Sequence, residues 1–342
     1  MVENVSVAIL GSTGYVGLEL VKILSSHPNI TINFLGSENS ANKKIEEFDI
    51  NLNKYDLPVI DLNTNFNPYD SEVVFLALPH GISHNYVKKL FNKIKIIDLS
   101  ADFRIKNLGL YEKNYENIHS CPQLIKNFVY GLAEIYRREL SNSSNISVPG
   151  CYPTSILLPL IPLIDSEIIE YDNIIIDSKS GYSGAGKKFS TENIKNDLDF
   201  NLYNYNTNSH RHIVEIKQEL DSASKSKTNF SFNPHILPNF RGMMSTMYCN
   251  LSKGKNRKDV QLVLSNFANK NKFIHLYDEK NRADFFSIQY TNNCVLKLFN
   301  HYDKNKIIIV SLIDNLIKGA AGQAVQCLNI ALGFDETISL VK

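Results

Sequence analysis

Apolar residues along this chain fall into two regimes. In the first half they come in short unbroken runs rich in Val and Ile, the pattern of strands buried on both faces. Residues 5–10 form the first run. A turn of three glycines follows at once, and then Leu18, Leu20, Val21 and Leu24 at helical spacing. Residues 32–36, 73–78 and 94–98 predict further buried strands, and 83–91 a helix. Residues 46–71, rich in Asn, Asp and Pro, read as irregular, and 107–127 as polar and turn-rich. After Arg137-Arg138 a Ser/Asn-rich loop is expected. Strands alternating with helices predict a Rossmann-type, doubly wound α/β domain.

Past residue 150 the regime changes. An apolar run at 156–164, led by Pro153, predicts a helix with Pro153 as its first residue, where a missing N–H costs nothing. Residues 174–179, 230–232, 243–251, 295–299 and 307–312 predict strands, and 233–242 a loop. The helices among them are few: 258–267, and one capped by Ser209 with Ile213, Ile216 and Leu220 on its apolar face. This predicts an α+β domain built on one large, mixed or mostly antiparallel sheet. A last helix, opening at Asp314 and running to Leu332, carries small residues suited to close packing. The expected division is 1–150, completed by 319–342, and 151–318.

Composition narrows the function. Lys and Arg total 36 against 35 Asp and Glu, which argues against nucleic acid or an anionic membrane as a general partner. No apolar run reaches the roughly 18 residues of a membrane span. The chain starts on a strand pattern without a cleavable leader, so a cytoplasmic location is expected. The five cysteines are scattered and form no C-x-x-C pair, so neither a disulfide framework nor a metal site is indicated.

The chemistry-bearing stretches stand at strand and helix ends. Gly11-Ser12-Thr13-Gly14-Tyr15-Val16-Gly17 lies between a strand and a helix, as in phosphate-cradling turns of dinucleotide folds. At the end of the second strand, Ser37 and the nearby Lys43 and Lys44 suit a 2′-phosphate, whereas Glu38 suits a free ribose hydroxyl. Arg104 follows the strand at 94–98 and matches phosphate geometry there. Cys151 lies between a Pro-Gly turn and a helix, where the helix dipole favours the thiolate. Ser180, Gly181 and Gly184 belong to a second glycine-rich loop. His210, Arg211, His212 and Glu215 crowd the start of one helix.

Together these stretches resemble the N-acetyl-γ-glutamyl-phosphate reductase family along almost the whole chain. The matching segments are GSTGYVGLEL from Gly11, ALPHG from Ala77, DLSADFR from Asp98 and PGCYPTS from Pro149. SGYSGAGK from Ser180, HRH from His210 with Glu215, PHILPNFRG from Pro234 and DNLIKGAAGQAVQ from Asp314 complete them. The chain departs from the usual pattern at Glu38, where Arg is common, at Asn42, where Gly is common, and at Ala133 and Val214, where Pro is common.

The resemblance implies a second domain like that of glyceraldehyde-3-phosphate dehydrogenase, NADP(H) as cofactor, no metal, and a homodimer or homotetramer. It implies an acyl-phosphate substrate and a thioester on Cys151. It also implies His210, oriented by Glu215, as acid/base, with His212 as the alternative. Arg104 would meet phosphate, Arg211 and Arg241 the substrate carboxylate, and Asn315 the nicotinamide. Two rivals are a reductase of an aminoadipyl or aspartyl phosphate, and a dinucleotide-binding redox sensor using Cys151.

Overall fold

The computed structural model describes residues 4–187, 201–278 and 280–341, and the chain divides into two compact units. Unit one comprises Met1–Pro149 and Ala320–Lys342, and unit two comprises Gly150–Gly319.

Unit one is built in the order β1 (Val5–Leu10), α1 (Tyr15–Ser25), β2 (Ile30–Ser37), β3 (Asp61–Leu62), β4 (Val73–Leu76), α2 (Ser83–Leu90), β5 (Lys95–Asp98), α3 (Leu108–Tyr115), β6 (Val129–Tyr130), α4 (Arg137–Leu140) and β7 (Asn145–Ser147). Its strands form one sheet in the order β3-β2-β1-β4-β5-β7-β6, every neighbouring pair parallel. The strand order reverses between β1 and β4, and a ligand crevice opens at such a point beyond the strands' carboxyl ends. β4 is buried along its whole length, as its unbroken apolar run requires. Ala8, Leu10, Val74, Leu76, Val87, Leu90 and Phe103 form one core cluster. Two expectations are corrected here. The polar stretch at 107–127 contains α3, capped by the Asn107 side chain on Leu110 N–H, and the Ser/Asn-rich loop contains β7. The β7 residues Asn145, Ile146 and Ser147 are all buried, and pairing with β5 and β6 outweighs their weak strand propensity.

Unit two opens with α5 (Cys151–Asp165) and continues through β8 (Ile174–Gly181), β9 (Tyr203–Asn204), α6 (His212–Ser224), β10 (Phe230–Leu237), β11 (Met243–Asn250), α7 (Arg257–Lys270), β12 (Ile274–Tyr277), β13 (Cys294–Asn300) and β14 (Lys306–Ile313). These strands form a mixed sheet in the order β12-β13-β14-β11-β8-β10-β9. Helix α5 is buried from Tyr152 to Ile164 apart from half-buried Pro162, packed on β11 and β14 and flanked by α6 and α7. Truncating one of its leucines, such as Leu157, would cost about 2–5 kcal/mol. The helix starts at Cys151, so Pro153 is its third residue rather than its first. Its missing N–H still falls among the donors that a first turn leaves unused.

Strand β10 also extends further than its sequence suggests, through Pro234 to Leu237. On that side its partner β9 is only two residues long, and the pairing engages His235 and Ile236, not Pro234. The imino nitrogen therefore interrupts no ladder bond. Beyond β14 a π-helical turn, Ile317–Ala321, leads into α8 (Gly322–Ala331), which packs on α1 and α4 of unit one. There Asn329 Oδ1 bonds the His27 ring at 3.0 Å, and Gln326 Nε2 bonds Glu134 and Glu336 at 2.9 Å.

Candidate active site

The glycine turn of unit one is closed mainly by backbone, with the Asn63 side chain also accepting from Gly11 N–H at 3.1 Å. The N–H groups of Gly11 and Ser12 both donate to Gly36 O, at 3.0 and 2.8 Å, and Gly14 N–H donates to Gly11 O. Gly11 has φ 82°, and a Cβ there would strike Ala77 O, just past β4. A Cβ on Gly17 would strike Gly11 O, so neither position admits a side chain. Gly14 is the N-cap of α1, and no side chain caps this helix. The uncapped start and the dipole of this first turn suit a pyrophosphate. The residues present therefore fit a dinucleotide.

Ser37 ends β2 almost fully buried, its hydroxyl 2.9 Å from that of Thr13. Glu38 is exposed, and its charge raises the pKa of Tyr86, whose main upward push is burial. The two lysines have local partners: Lys44 pairs with Glu46 at 3.8 Å, and Lys43 lies 6.0 Å over the Phe48 ring. Asn42 takes φ 66°, the left-handed region that Asn enters more readily than most residues, so it serves where a glycine would otherwise be favoured.

Arg104 is buried after β5, its Nη2 donating to Leu99 O at 2.7 Å. It forms no ion pair with Asp102, whose carboxylate accepts from Gly81 N–H, His84 N–H and the Tyr111 hydroxyl. Burial, helped by the charge of Asp102, pushes the neighbouring Asp98 up to about 7.

In unit two, Cys151 is the first residue of α5 and the one cysteine that is not buried. Its N-cap, Gly150, offers no side chain to compete for the helix start. Glu215, fully buried on the first turn of α6, accepts the Gly150 N–H at 2.9 Å. The expectation that Glu215 orients His210 is thus corrected: its carboxylate holds the chain entering the Cys151 helix. Gly319, in the π-helical turn, is a residue that sequence reasoning missed. A Cβ there would lie 2.8 Å from that of Cys151. The run of small residues 319–321 was the available signal.

His210 stands just before α6. Its Nδ1 accepts from His212 N–H at 3.1 Å and its Nε2 lies 3.4 Å from the Tyr205 hydroxyl. His210, rather than Ser209, therefore supplies the side-chain acceptor at this helix start, and the N-cap position itself falls to Arg211. The His210 ring packs edge-on against Tyr152, Tyr205, His212 and Phe232. Burial, and then the Arg211 charge, pushes His210 down to about 3. Burial likewise raises Tyr205 to about 12, and the charge of Cys151 adds to both Tyr205 and Tyr152. The two tyrosines therefore share the electrostatic field of the thiol, which the sequence reading did not foresee. Arg211 is exposed beside them, whereas His212 is buried.

The second glycine loop is fastened onto residues 239–242. Gly181 N–H donates to Gly242 O at 2.8 Å, and Tyr182 N–H to Asn239 O at 2.9 Å. A Cβ on Gly181 would lie 2.7 Å from Asn239 O. Asn315 joins the two strands of this clasp, accepting from Gly242 N–H at 2.8 Å and donating to the Ser183 hydroxyl at 2.9 Å. Ser180, Gly181, Gly184 and Asn315 are thereby brought together. Arg241 is not open to a substrate carboxylate. It is 3% exposed, pairs with buried Asp314 at 3.2 Å and lies 4.1 Å from the Tyr290 ring centre. That expectation gives way to a buried ion pair. Among the described residues no His/Cys/Asp/Glu group could hold a metal, and no helix is long and apolar enough to cross a membrane.

Comparison with known proteins bears on the family and the fold. Residues 6–143 match the model for the semialdehyde dehydrogenase NAD binding domain, and 151–315 that for the semialdehyde dehydrogenase dimerisation domain. An Ehrlichia canis protein named N-acetyl-gamma-glutamyl-phosphate reductase is 43% identical, covering 99% of this chain and 98% of its own. An Arabidopsis thaliana protein named probable N-acetyl-gamma-glutamyl-phosphate reductase, chloroplastic, is 37% identical over 99% of this chain and 84% of its own. Among solved structures, aspartate semialdehyde dehydrogenase II from Vibrio cholerae shares the fold with TM-score 0.73 and 17% identity, over 97% of this chain and 99% of that one. The Candida albicans aspartate semialdehyde dehydrogenase with NADP gives TM-score 0.66 and 18% identity, over 96% and 99%.

Proposed function

Because the chain belongs to the N-acetyl-γ-glutamyl-phosphate reductases of the semialdehyde dehydrogenase family, and is an oxidoreductase, we propose that it reduces N-acetyl-γ-glutamyl phosphate to the 5-semialdehyde in arginine biosynthesis, with NADPH as the preferred cofactor and a thioester on Cys151. The observation that carries this reading is the setting of Cys151: first residue of a buried helix, with Gly150 held by Glu215, Tyr152 and Tyr205 in its electrostatic field, and His210 packed against both tyrosines. A helix start stabilises negative charge, so the thiolate attacks the acyl carbon and phosphate departs. The nicotinamide cofactor, when bound, supplies the hydride that converts the thioester to a thiohemiacetal. Collapse of that species returns the thiolate and frees the aldehyde. His210 attends the oxygen that gains charge in both tetrahedral species.

The Gly11–Gly17 turn holds the pyrophosphate and Ser37 the ribose end. Ser180, Gly181, Gly184 and Asn315 are assigned to the nicotinamide end by family resemblance. Arg104 takes phosphate, and Arg211, exposed next to His210, takes the substrate carboxylate. Five free cysteines suit a reducing cytosol. The outer face of the unit-two sheet carries Ile175, Tyr248, Ile308 and Phe299 in register across four strands, three of them exposed. Such a row suits a copy of itself, and we assign it to a homodimer or larger homo-oligomer.

The deciding experiment is phosphate-dependent oxidation of N-acetylglutamate semialdehyde with NADP. Turnover that requires phosphate is expected. Its absence, or faster turnover of the aminoadipate or aspartate semialdehyde, would overturn the substrate assignment.

A further inference from the structure

Both ring nitrogens of His210 are engaged, and the series of hydrogen bonds they belong to ends on groups of fixed character. At Nδ1 the partner is the backbone N–H of His212, which can only donate. Nδ1 is therefore an acceptor, and the single proton of the neutral ring lies on Nε2. Nε2 faces the Tyr205 hydroxyl at 3.4 Å. Tyr205 donates onward to the Tyr152 hydroxyl at 3.2 Å, and Tyr152 donates to the His235 carbonyl at 3.4 Å. A carbonyl can only accept. From Nε2–H onward, every proton in the series thus points away from His210.

The surroundings oppose a second proton on the ring. Tyr152 from α5, Phe232 from β10, and Tyr205, Arg211 and His212 face it. Arg211 is positive, and the site is buried, so imidazolium is disfavoured on both counts.

We propose that His210 works as a neutral hydrogen-bond donor, through Nε2–H, to the carbonyl oxygen of the Cys151-bound intermediates, with Tyr205 as the residue that positions it. The proposal rests on the reading of Cys151 as nucleophile. The chemistry balances without the ring changing its proton count. The thiolate pair forms the C–S bond as the carbonyl pair moves to oxygen. That pair returns as the C–O bond to phosphate breaks, and the departing phosphate takes its proton from water. After reduction, the oxygen pair again re-forms the carbonyl, and the C–S pair returns to sulfur. In each tetrahedral species the charge on oxygen meets Nε2–H, which swings from its long bond to Tyr205. A neutral imidazole can polarise a carbonyl in this way.

Two-bond ¹⁵N–¹H spectra of the ¹⁵N-histidine-labelled full-length protein read the tautomer directly, with the His210 signals assigned by their loss in His210→Gln. The expected pattern is neutral Nε2–H, unchanged from about pH 7.5 down to about pH 5, where an ordinary histidine would have titrated. An Nδ1–H pattern, or conversion to imidazolium near pH 6.5, overturns the proposal. Tyr205→Phe leaves the His212 N–H in place, so the tautomer is expected to persist. Its kcat should fall about tenfold, with KM for the acyl phosphate within about twofold. An unchanged kcat, or a loss confined to KM, overturns the positioning role. Failure of the nucleophile reading shows separately, as no thioester trapped on Cys151, and leaves the tautomer measurement intact.

Discussion

Helices α1 and α5 begin alike and serve different charges. Each starts from a glycine in extended conformation, Gly14 at φ −72°, ψ 165° and Gly150 at φ −67°, ψ 156°. Neither helix start is capped by a side chain. In the proposed reading, the first turn in unit one receives a diffusible phosphate, whereas in unit two the first residue of the helix, Cys151, is itself the anion-forming group. The backbone device is shared, and the difference lies in what secures it. Around α1 the turn is fixed chiefly by main-chain bonds and by glycines with no room for a Cβ, with one distant side chain, Asn63, on Gly11 N–H. Around α5 it is fixed by side chains from distant segments, Glu215 on Gly150 and Gly319 against Cys151.

If the two starts are separable, their variants should fail in opposite ways. Cys151→Ser is expected to lower turnover about a thousandfold or more while dinucleotide affinity by fluorescence titration stays within about twofold. Gly17→Ala should do the reverse, abolishing dinucleotide binding while Cys151 still alkylates with iodoacetamide at the parent rate. Loss of alkylation in Gly17→Ala would break the comparison.

A smaller effect is expected from Gly319→Ala. The added methyl would press on the Cys151 Cβ, lowering kcat about tenfold with dinucleotide affinity unchanged. Wild-type kcat would show that the π-helical turn yields freely. Glu215→Ala leaves the buried Gly150 N–H without its acceptor and should cost about 1–3 kcal/mol in chemical unfolding, most of it recovered in Glu215→Gln. The smallest change concerns cofactor choice at the end of β2. Glu38→Arg should raise the NADPH-to-NADH ratio of kcat/KM about tenfold over the parent, in which NADPH already leads. NADH leading in the parent would place Glu38 at the ribose.

The α1 side of this comparison was legible in sequence because it is local: strand, glycines and helix follow one another within 25 residues. The α5 side was legible only in part. Cys151 announces itself through its Pro-Gly turn, but the helix begins two residues before Pro153, since an interior first turn tolerates a missing N–H. Glu215 was read, from the family resemblance, as the partner that orients His210. Its bond runs instead to Gly150, which no spacing rule links to it. Tyr152 adjoins Cys151 in sequence, yet its role depends on Tyr205 and His235, and only the folded sheet brings these together. Arg241 misled for a related reason: a charge beside a glycine loop looks available until Asp314 is found beneath it. The abundance of Asn, by contrast, acquires a structural use. Among the described residues, five of the ten non-glycine residues at positive φ are Asn, at 42, 92, 173, 206 and 208.

Unit one draws its last helix from the far end of the chain, and that has a consequence for how the protein is made. The seats for α8 against α1 and α4 exist only once both are in place, and His27 waits on Asn329 and Glu134 on Gln326. Between the two halves of the unit the ribosome must deliver the whole of Gly150–Gly319. At ordinary elongation rates that is a delay of about 10–30 s. Throughout it, the nascent parallel sheet stands with one flank uncovered while a complete second unit is synthesised behind it. The segment is thus exposed to chaperones and proteases while it waits for α8, and stop codons that remove residues 320–342 should be as damaging as those at the beginning.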